Sequence, residues 1–117
     1  MVFRIADTFS DSLAKLANQE QKAVKTAAFD LQMNPDSPGL SMHRVDRAKD
    51  KFFWTARINR DLRLVVHKKD SATLLAWIGH HDDAYRWTEP PRIDTHPRTG
   101  AAQIVEIRET VEEIVVQ

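Results

Sequence analysis

The hydrophobic and polar positions of the first third of the chain predict a strand followed by helical structure. Apolar and charged residues alternate over residues 2–9, which is typical of a strand with one buried face, and Ser10 or Ser12 can cap a helix at its end. Apolar residues then recur at helical spacing within residues 13–17 and again within residues 24–31. A helical hairpin and one bent helix are both open, and a segment rich in Pro and Gly ends the region.

Strand-like patterning resumes in the middle of the chain. Residues 52–58 and 62–66 are rich in aromatic and β-branched residues, and the turn-like residues 59–61, Asn-Arg-Asp, separate them as in a hairpin. Residues 73–78 form a compact apolar run with the length of a buried strand. The order of strand, helices and several strands favours an α+β fold in which helices pack on one face of a mainly antiparallel sheet.

The last part of the chain has a weaker pattern. Several prolines and Gly100 indicate an irregular connection, residues 103–107 are compatible with an edge strand, and residues 108–117 are acidic and β-branched. We expect one folded domain over residues 1–103 and an acidic tail, or the start of a linker to a following region, over residues 104–117. The apolar residues near the end fit either a final helix on this domain, or docking on a partner, or a fragment of a longer protein.

Composition limits the class of protein. A chain of 117 residues, 42% of them hydrophobic, can build one core and is too short for two. It contains no cysteine, so neither a disulfide framework nor a thiolate metal site is expected, which fits a reducing cytosol. No apolar run approaches the roughly 18 residues of a membrane span, and the N-terminus lacks the layout of a secretion signal. We therefore expect a cytoplasmic protein with no membrane partner.

The formal net charge is zero, but the charges are unevenly distributed along the chain. Residues 44–69 contain nine Lys or Arg and three Asp, whereas residues 103–117 contain four Glu and one Arg. The predicted hairpin carries arginines at outward-facing positions, and clustered guanidinium groups suit phosphate, although an ordinary solvated sheet face is the alternative. The candidate nucleic-acid-binding residues are Lys49, Lys51, Arg57, Arg60 and Arg63.

A second group of chemically active side chains, residues 79–87, follows the buried run of residues 73–78. His81 can transfer protons near neutral pH, and Tyr85 or Arg63 can stabilise the charge that develops on a phosphorus centre. Together these groups would support cleavage of RNA by its own 2′-hydroxyl without a metal. The structural alternative is that His80 caps the strand, that an aspartate caps a following turn, and that Tyr85 and Trp87 pack into the core.

Other chemistries fit the sequence poorly. His80 and His81 are adjacent, so on a strand they point to opposite faces and do not share a metal ion, and we expect neither a metal nor a cofactor. The chain has no nucleophile elbow and no glycine-rich phosphate loop, which excludes the corresponding hydrolase and nucleotide-hydrolysing motifs.

The order and spacing of these residues resemble the RelE/ParE toxin superfamily over about residues 3–87. The phrases NRDLRLVVHK, HHDDAYRW and HPRTGAAQIVEI look closest to the RelE-like domain at the N-terminus of some bacterial UvrD/Rep-type helicases. The resemblance implies a small α+β domain with a helical hairpin packed against a twisted antiparallel sheet. The matched positions are Leu13, Leu16, Val24, Leu31, Asn34, Pro35, Trp54, Ala56, Arg57, Asn59, Arg60, Asp61, Arg63, Leu64, Val65, Val66, Gly79, His80, His81 and Tyr85.

The resemblance also implies candidate catalytic residues. In RelE-type ribosome-dependent mRNA endonucleases, one strand carries two alternating basic residues, the next strand an arginine, and a C-terminal loop a basic residue and a tyrosine. Arg57 matches the second alternating position, Arg63 the next strand, and His81 with Tyr85 the loop. Thr55 stands where the first basic residue is expected, so one cation is missing from the pattern.

Three functional hypotheses follow from the resemblance. The preferred one is a nucleic-acid-binding accessory domain of a DNA helicase, acting through its basic residues. The alternative is an active RelE-type endonuclease that cleaves mRNA in the ribosome and has an antitoxin partner. The third is a ParE-like inhibitor of a topoisomerase, for which no residue identifies a target.

Overall fold

The protein is an α+β structure built from eight strands and three α-helices in the part of the chain that the structure covers. The computed structural model describes residues 2–34, 36, 38–89, 93–95, 102–104 and 111–115. The elements are β1 (Val2–Ala6), α1 (Asp7–Ala14), α2 (Asn18–Met33), a 3₁₀ turn (Pro38–Leu40), β2 (His43–Arg44), β3 (Phe53–Arg57), β4 (Leu62–Lys69), β5 (Ala72–His80), α3 (His81–Thr88), β6 (Ile93–Thr95), β7 (Ala102–Ile104) and β8 (Val111–Val115).

Six of the strands form one sheet in the order β2-β3-β4-β5-β1-β8. β1 is parallel to β5, and the other neighbouring strands of this sheet are antiparallel, which confirms the predicted mainly antiparallel α+β fold. Of the two helical alternatives, the hairpin of α1 and α2 is the one observed.

The main sheet has a hydrophobic cluster on each face. On one face, α1 and α2 pack against β-strand residues; the cluster includes Phe3, Val24, Leu31 and Leu64. On the other face, the shorter α3 packs against a second cluster, in which the ring of Trp87 stacks on that of Trp77 with the centroids 6.1 Å apart. Helices therefore cover both faces, whereas the sequence indicated helices on one face only, because residues 81–88 were expected to form a loop.

The first strand is shorter than predicted, and the expected serine cap is wrong. β1 ends at Ala6, and α1 begins at Asp7 without a side-chain cap. Ser12 lies inside α1, where its Oγ donates to the carbonyl of Phe9 at 2.9 Å and accepts the N–H of Ile78 at 3.1 Å. β1 pairs with β5 only as far as Leu75. Beyond that residue, the side chain of Ser12 on α1 binds the backbone of β5 in the place that a neighbouring strand would otherwise occupy.

The C-terminal segments are strands where the structure describes them. β7 overlaps the predicted edge strand, and it pairs with β6 in a separate two-stranded sheet; residues 105–107 lie outside the described residues. The alternative of a final helix is wrong, because β8 pairs antiparallel with β1 and matches Phe3 with Ile114. The β-branched residues of β8 favour a strand, and their pairing covers the outer edge of β1. The proposed division of the chain at residue 104 stays a prediction.

Candidate nucleic-acid interface

Two arginines stand directly opposite each other where the β3–β4 hairpin turns. Arg57 ends β3, Arg63 is the second residue of β4, and the two are paired in register. The N–H of Ile58 donates to the carbonyl of Leu62 at 3.1 Å, so the neighbouring pair of Arg57 and Arg63 occupies a non-hydrogen-bonded position. Side chains at such positions approach most closely, with Cβ atoms about 4.5–5.5 Å apart. We call these two residues the arginine pair.

The two members of the arginine pair have different surroundings. Arg57 is exposed, whereas Arg63 is half-buried and its Nη1 donates to the carbonyl of Asn59 at 2.8 Å and to that of Leu62 at 3.0 Å. Among the described residues, neither guanidinium forms an ion pair with a carboxylate. Like charges at opposite positions of an antiparallel pair destabilise the sheet, so a bound anion would relieve their repulsion.

The row of the arginine pair continues onto β5 at a residue without a side chain. Arg63 pairs with Gly79, and a Cβ added to Gly79 would lie 2.2 Å from the Trp77 ring. The absence of a side chain at Gly79 leaves room for the indole of Trp77, which lies over the backbone. The indole ring of Trp77 therefore covers the sheet surface at the position next to Arg63.

The β3–β4 turn, residues 59–61, also contacts the start of α3. The Oδ1 of Asn59 accepts the N–H groups of Asp61 and Leu62, both at 2.9 Å, and the carbonyl of Asp61 accepts the N–H of His81 at 2.8 Å. His81 is thus held against the turn that joins the two arginine-bearing strands. Its Nδ1 lies 2.9 Å from Oδ1 of Asp82, and 45% of its side chain is exposed.

The structure therefore brings most of the predicted catalytic and nucleic-acid-binding residues to one end of the sheet. Arg57, Arg60, Arg63 and His81 surround the β3–β4 turn, and Tyr85 lies one helical turn after His81 on the same face of α3. Tyr85 is half-buried and packs against the cluster beneath α3, as its structural alternative requires. The sequence missed the helix that carries it, although acidic residues in the first turn and Arg86 in the last turn are a helix signal.

Lys49 and Lys51 lie at the opposite end of β3. They belong to the segment before Phe53, and β3 extends about 13 Å from Phe53 to Arg57. The Nζ of Lys51 donates to the carbonyl of Asp46 at 2.7 Å. The structure therefore does not bring these lysines together with the arginine pair, and their role in binding stays a prediction.

A buried histidine that the sequence did not single out anchors this lysine segment. The Nε2 of His67 lies 2.9 Å from Oδ2 of Asp50, and the ring of Phe53 meets the imidazole edge-on at 5.1 Å. Burial lowers the pKa of His67 below its ordinary value, although the carboxylate of Asp50 acts in the opposite direction. At neutral pH the imidazole is therefore neutral and donates to Asp50, which ties the segment to β4.

The burial of Thr55 explains why this position does not carry the first basic residue that the family pattern leads us to expect. It is 1% exposed and is paired with His43 on one side and Val65 on the other. A lysine or arginine at this position would have to place its charge in a covered part of the sheet, which is costly without a partner. The cations near the β3–β4 turn are therefore provided by the turn itself and by the strand positions next to it.

Two features are absent from the part of the chain that the structure describes. No group of three or more His, Cys, Asp or Glu side chains in this part of the structure is arranged to hold a metal ion. Within the same residues, no helix has both the length and the apolar character needed to cross a membrane.

Comparisons with known proteins identify the fold. No protein-family model and no curated protein matches the chain. The solved structure of YafQ from E. coli strain BL21(DE3) is 19% identical, with a TM-score of 0.57, and the match covers 69% of this chain and 93% of YafQ. A YoeB/ParE toxin from Agrobacterium tumefaciens is 12% identical, with a TM-score of 0.58, and the match covers 69% of this chain and 99% of the toxin.

A third similar structure is seen together with its partner. The RelBE2 toxin–antitoxin complex from Mycobacterium tuberculosis contains a chain that is 23% identical, with a TM-score of 0.54, and the match covers 68% of this chain and 95% of that one. These structural neighbours belong to the RelE, YafQ, YoeB and ParE group of toxins. The chain therefore has the fold of the RelE-like toxins.

Proposed function

We propose that this chain is a RelE-type toxin that binds RNA at the arginine pair and cleaves mRNA in the ribosome. The observation that carries the proposal is the in-register position of Arg57 and Arg63, without carboxylate partners among the described residues, beside the start of α3. Two guanidinium groups on a rigid hairpin are suited to one phosphodiester, because each offers N–H donors in a fixed plane.

Arg57 and Arg63 contribute to phosphate binding in different ways. Arg57 is exposed and its whole guanidinium is available to the ligand. Arg63 uses Nη1 to bind the turn, and its Nε and Nη2 groups keep N–H donors for a phosphate oxygen. Arg60 adds a third exposed cation in the same turn. These cations stabilise the extra negative charge of the transition state, which compensates in part for the missing cation at Thr55.

His81 and Tyr85 have roles in the reaction. The ribose 2′-oxygen attacks the adjacent phosphorus while the bond from phosphorus to the 5′-oxygen breaks, which leaves a 2′,3′-cyclic phosphate and a 5′-hydroxyl. His81 accepts the proton of the 2′-hydroxyl, and the departing 5′-oxygen takes a proton from solvent. Tyr85, one turn along α3, stacks on or orients the neighbouring base.

An antitoxin is the proposed protein partner. A similar toxin is seen in complex with an antitoxin, which supports this assignment. The exposed apolar side chains of α2 support it as well, since Phe29 is 60% and Met33 is 66% exposed one helical turn apart. Phe29 also borders a groove of about 330 Å³ between α1, α2 and β1.

The function is tested by induced expression of the chain in a bacterium. The wild type is expected to arrest growth and to leave cuts in ribosome-bound mRNA, and the double variant Arg57→Ala/Arg63→Ala is expected to lose both effects. Lys22→Ala is the matched control, since it removes an exposed cation from α2. Normal growth with intact mRNA would contradict cleavage, and the helicase-accessory interpretation would then be the one to pursue.

His81→Ala and Tyr85→Phe separate chemistry from binding. We expect both variants to bind RNA as the wild type does, since phenylalanine keeps the aromatic ring of Tyr85. Both should cleave it poorly, because His81→Ala lacks the base and Tyr85→Phe lacks the hydroxyl that orients the nucleotide. Loss of cleavage together with loss of folding, measured by thermal denaturation, would instead assign these residues a structural role.

A further inference from the structure

Asn59 is the centre of a hydrogen-bond network that joins Arg63 to the first residue of α3. Its Oδ1 accepts two backbone N–H groups, from Asp61 and Leu62, while its own carbonyl accepts Nη1 of Arg63 at 2.8 Å. The carbonyl of Asp61 in turn accepts the N–H of His81 at 2.8 Å. Consecutive hydrogen bonds therefore link the side chain of Asn59, the β3–β4 turn, the guanidinium of Arg63 and the start of α3.

The Asn59 side chain replaces part of the hairpin ladder. Ile58 donates its N–H to the carbonyl of Leu62, but the N–H of Leu62 binds Oδ1 of Asn59. An asparagine that accepts N–H groups two and three residues ahead fixes a three-residue turn in one conformation. Without it, the N–H of Leu62 and the carbonyl of Asp61 lose the geometry that holds them.

We propose that Asn59 is a positioning residue for the candidate RNA site, holding the guanidinium of Arg63 and the backbone of His81 at a fixed separation. The inference rests on the proposed function, and it adds a residue that carries no charge and makes no contact with the ligand. Nη1 of Arg63 is committed to the turn carbonyls, so the direction of its remaining N–H donors follows the conformation of the turn. His81 follows the same turn through its backbone N–H.

The test compares Asn59→Ala with Asn59→Ser. Alanine removes the side-chain acceptor without changing the charge, whereas serine keeps an oxygen that can accept from the same N–H groups. Gln19→Ala on α2 is the matched control, because it shortens an exposed polar side chain far along the chain from the turn. Binding of a fluorescein-labelled ten-nucleotide oligouridylate is measured by anisotropy at several salt concentrations.

We expect Asn59→Ala to weaken binding about tenfold, which is the effect of one well-placed charge-assisted hydrogen bond. The dependence of binding on salt should also fall, although no cation has been removed. Asn59→Ser should restore most of the affinity. In an Arg63→Ala background, Asn59→Ala should change the affinity less than about twofold, because the two residues act through one contact.

Wild-type affinity for Asn59→Ala, or effects of Asn59→Ala and Arg63→Ala that simply multiply, would overturn the inference. Failure of the proposed function has a different signature, in which the wild-type chain itself binds oligouridylate weakly and without salt dependence. The inference is then judged by the ¹⁵N–¹H resonance of His81, which should move in Asn59→Ala and return in Asn59→Ser. An unmoved His81 resonance would overturn it independently of RNA.

Discussion

Replacing Arg57 by alanine is the sharpest single test of the candidate interface. The guanidinium is exposed, and among the described residues it forms neither a hydrogen bond nor an ion pair. Its loss removes one of two adjacent like charges, so thermal stability should stay within about 0.5 kcal/mol of the wild type or rise slightly. A charge-assisted phosphate contact contributes about 1.5–3 kcal/mol, which corresponds to roughly a tenfold to hundredfold loss of RNA affinity.

The salt dependence of binding provides the second measure of this variant. Each phosphate contact to a single strand contributes about 0.7 to the slope of log affinity against log salt concentration, so Arg57→Ala should lower the slope by about that amount. Fluorescence anisotropy with labelled oligouridylate measures both quantities, and Arg57→Lys retains the charge without the planar fork. Unchanged affinity and slope in Arg57→Ala, or a loss of affinity matched by Lys22→Ala, would refute the assignment of the arginine pair.

Three further predictions concern the scaffold of the site. Gly79→Ala should lower the free energy of unfolding by about 1–3 kcal/mol in chemical denaturation, because the added Cβ would lie 2.2 Å from the Trp77 ring; a neutral result would mean that the ring moves freely. Ser12→Ala should cost about 1–3 kcal/mol, since the N–H of Ile78 loses its acceptor, and equal melting temperatures of variant and wild type would contradict this. Because the pKa of His67 is lower in the folded state, the unfolded chain binds more protons below about pH 6.5, so the free energy of unfolding should fall as the pH drops through that value. His67→Gln should flatten this pH dependence. If the stability of the variant depends on pH as that of the wild type does, His67 is not the cause.

The sequence predicted the hairpin of β3 and β4 because its strands are dense in aromatic and β-branched residues around one polar turn. It also predicted that Arg57 and Arg63 would be close, and the register places them directly opposite each other. Lys49 and Lys51 were grouped with them because they are near in sequence. An extended strand carries its two ends far apart, and this separation depends on where β3 begins, which the sequence pattern defines poorly.

The sequence pattern could not predict the helix α3 or the hydrogen-bond network around Asn59, for a different reason. α3 has only eight residues, and its buried positions are too few to show a clear helical period. The bond from His81 to the turn joins two backbone groups, Asp61 and His81, so no side-chain type announces it. The RelE-like fold inferred from the matched residues is confirmed, whereas the roles of the individual site residues stay predictions.

The position of β1 in the sheet has a consequence for how the chain folds during synthesis. Phe3 pairs with Thr73 on one side and with Ile114 on the other, so β1 is synthesised before both of the strands that it pairs with. The antiparallel strands β3, β4 and β5 are connected by short turns and can pair as soon as they leave the ribosome, but β1 must wait for both of its partners. Until then the apolar side chains of β1 and α1 lack their packing surface on β5, and the nascent protein is expected to depend on chaperones or to remain exposed to proteases.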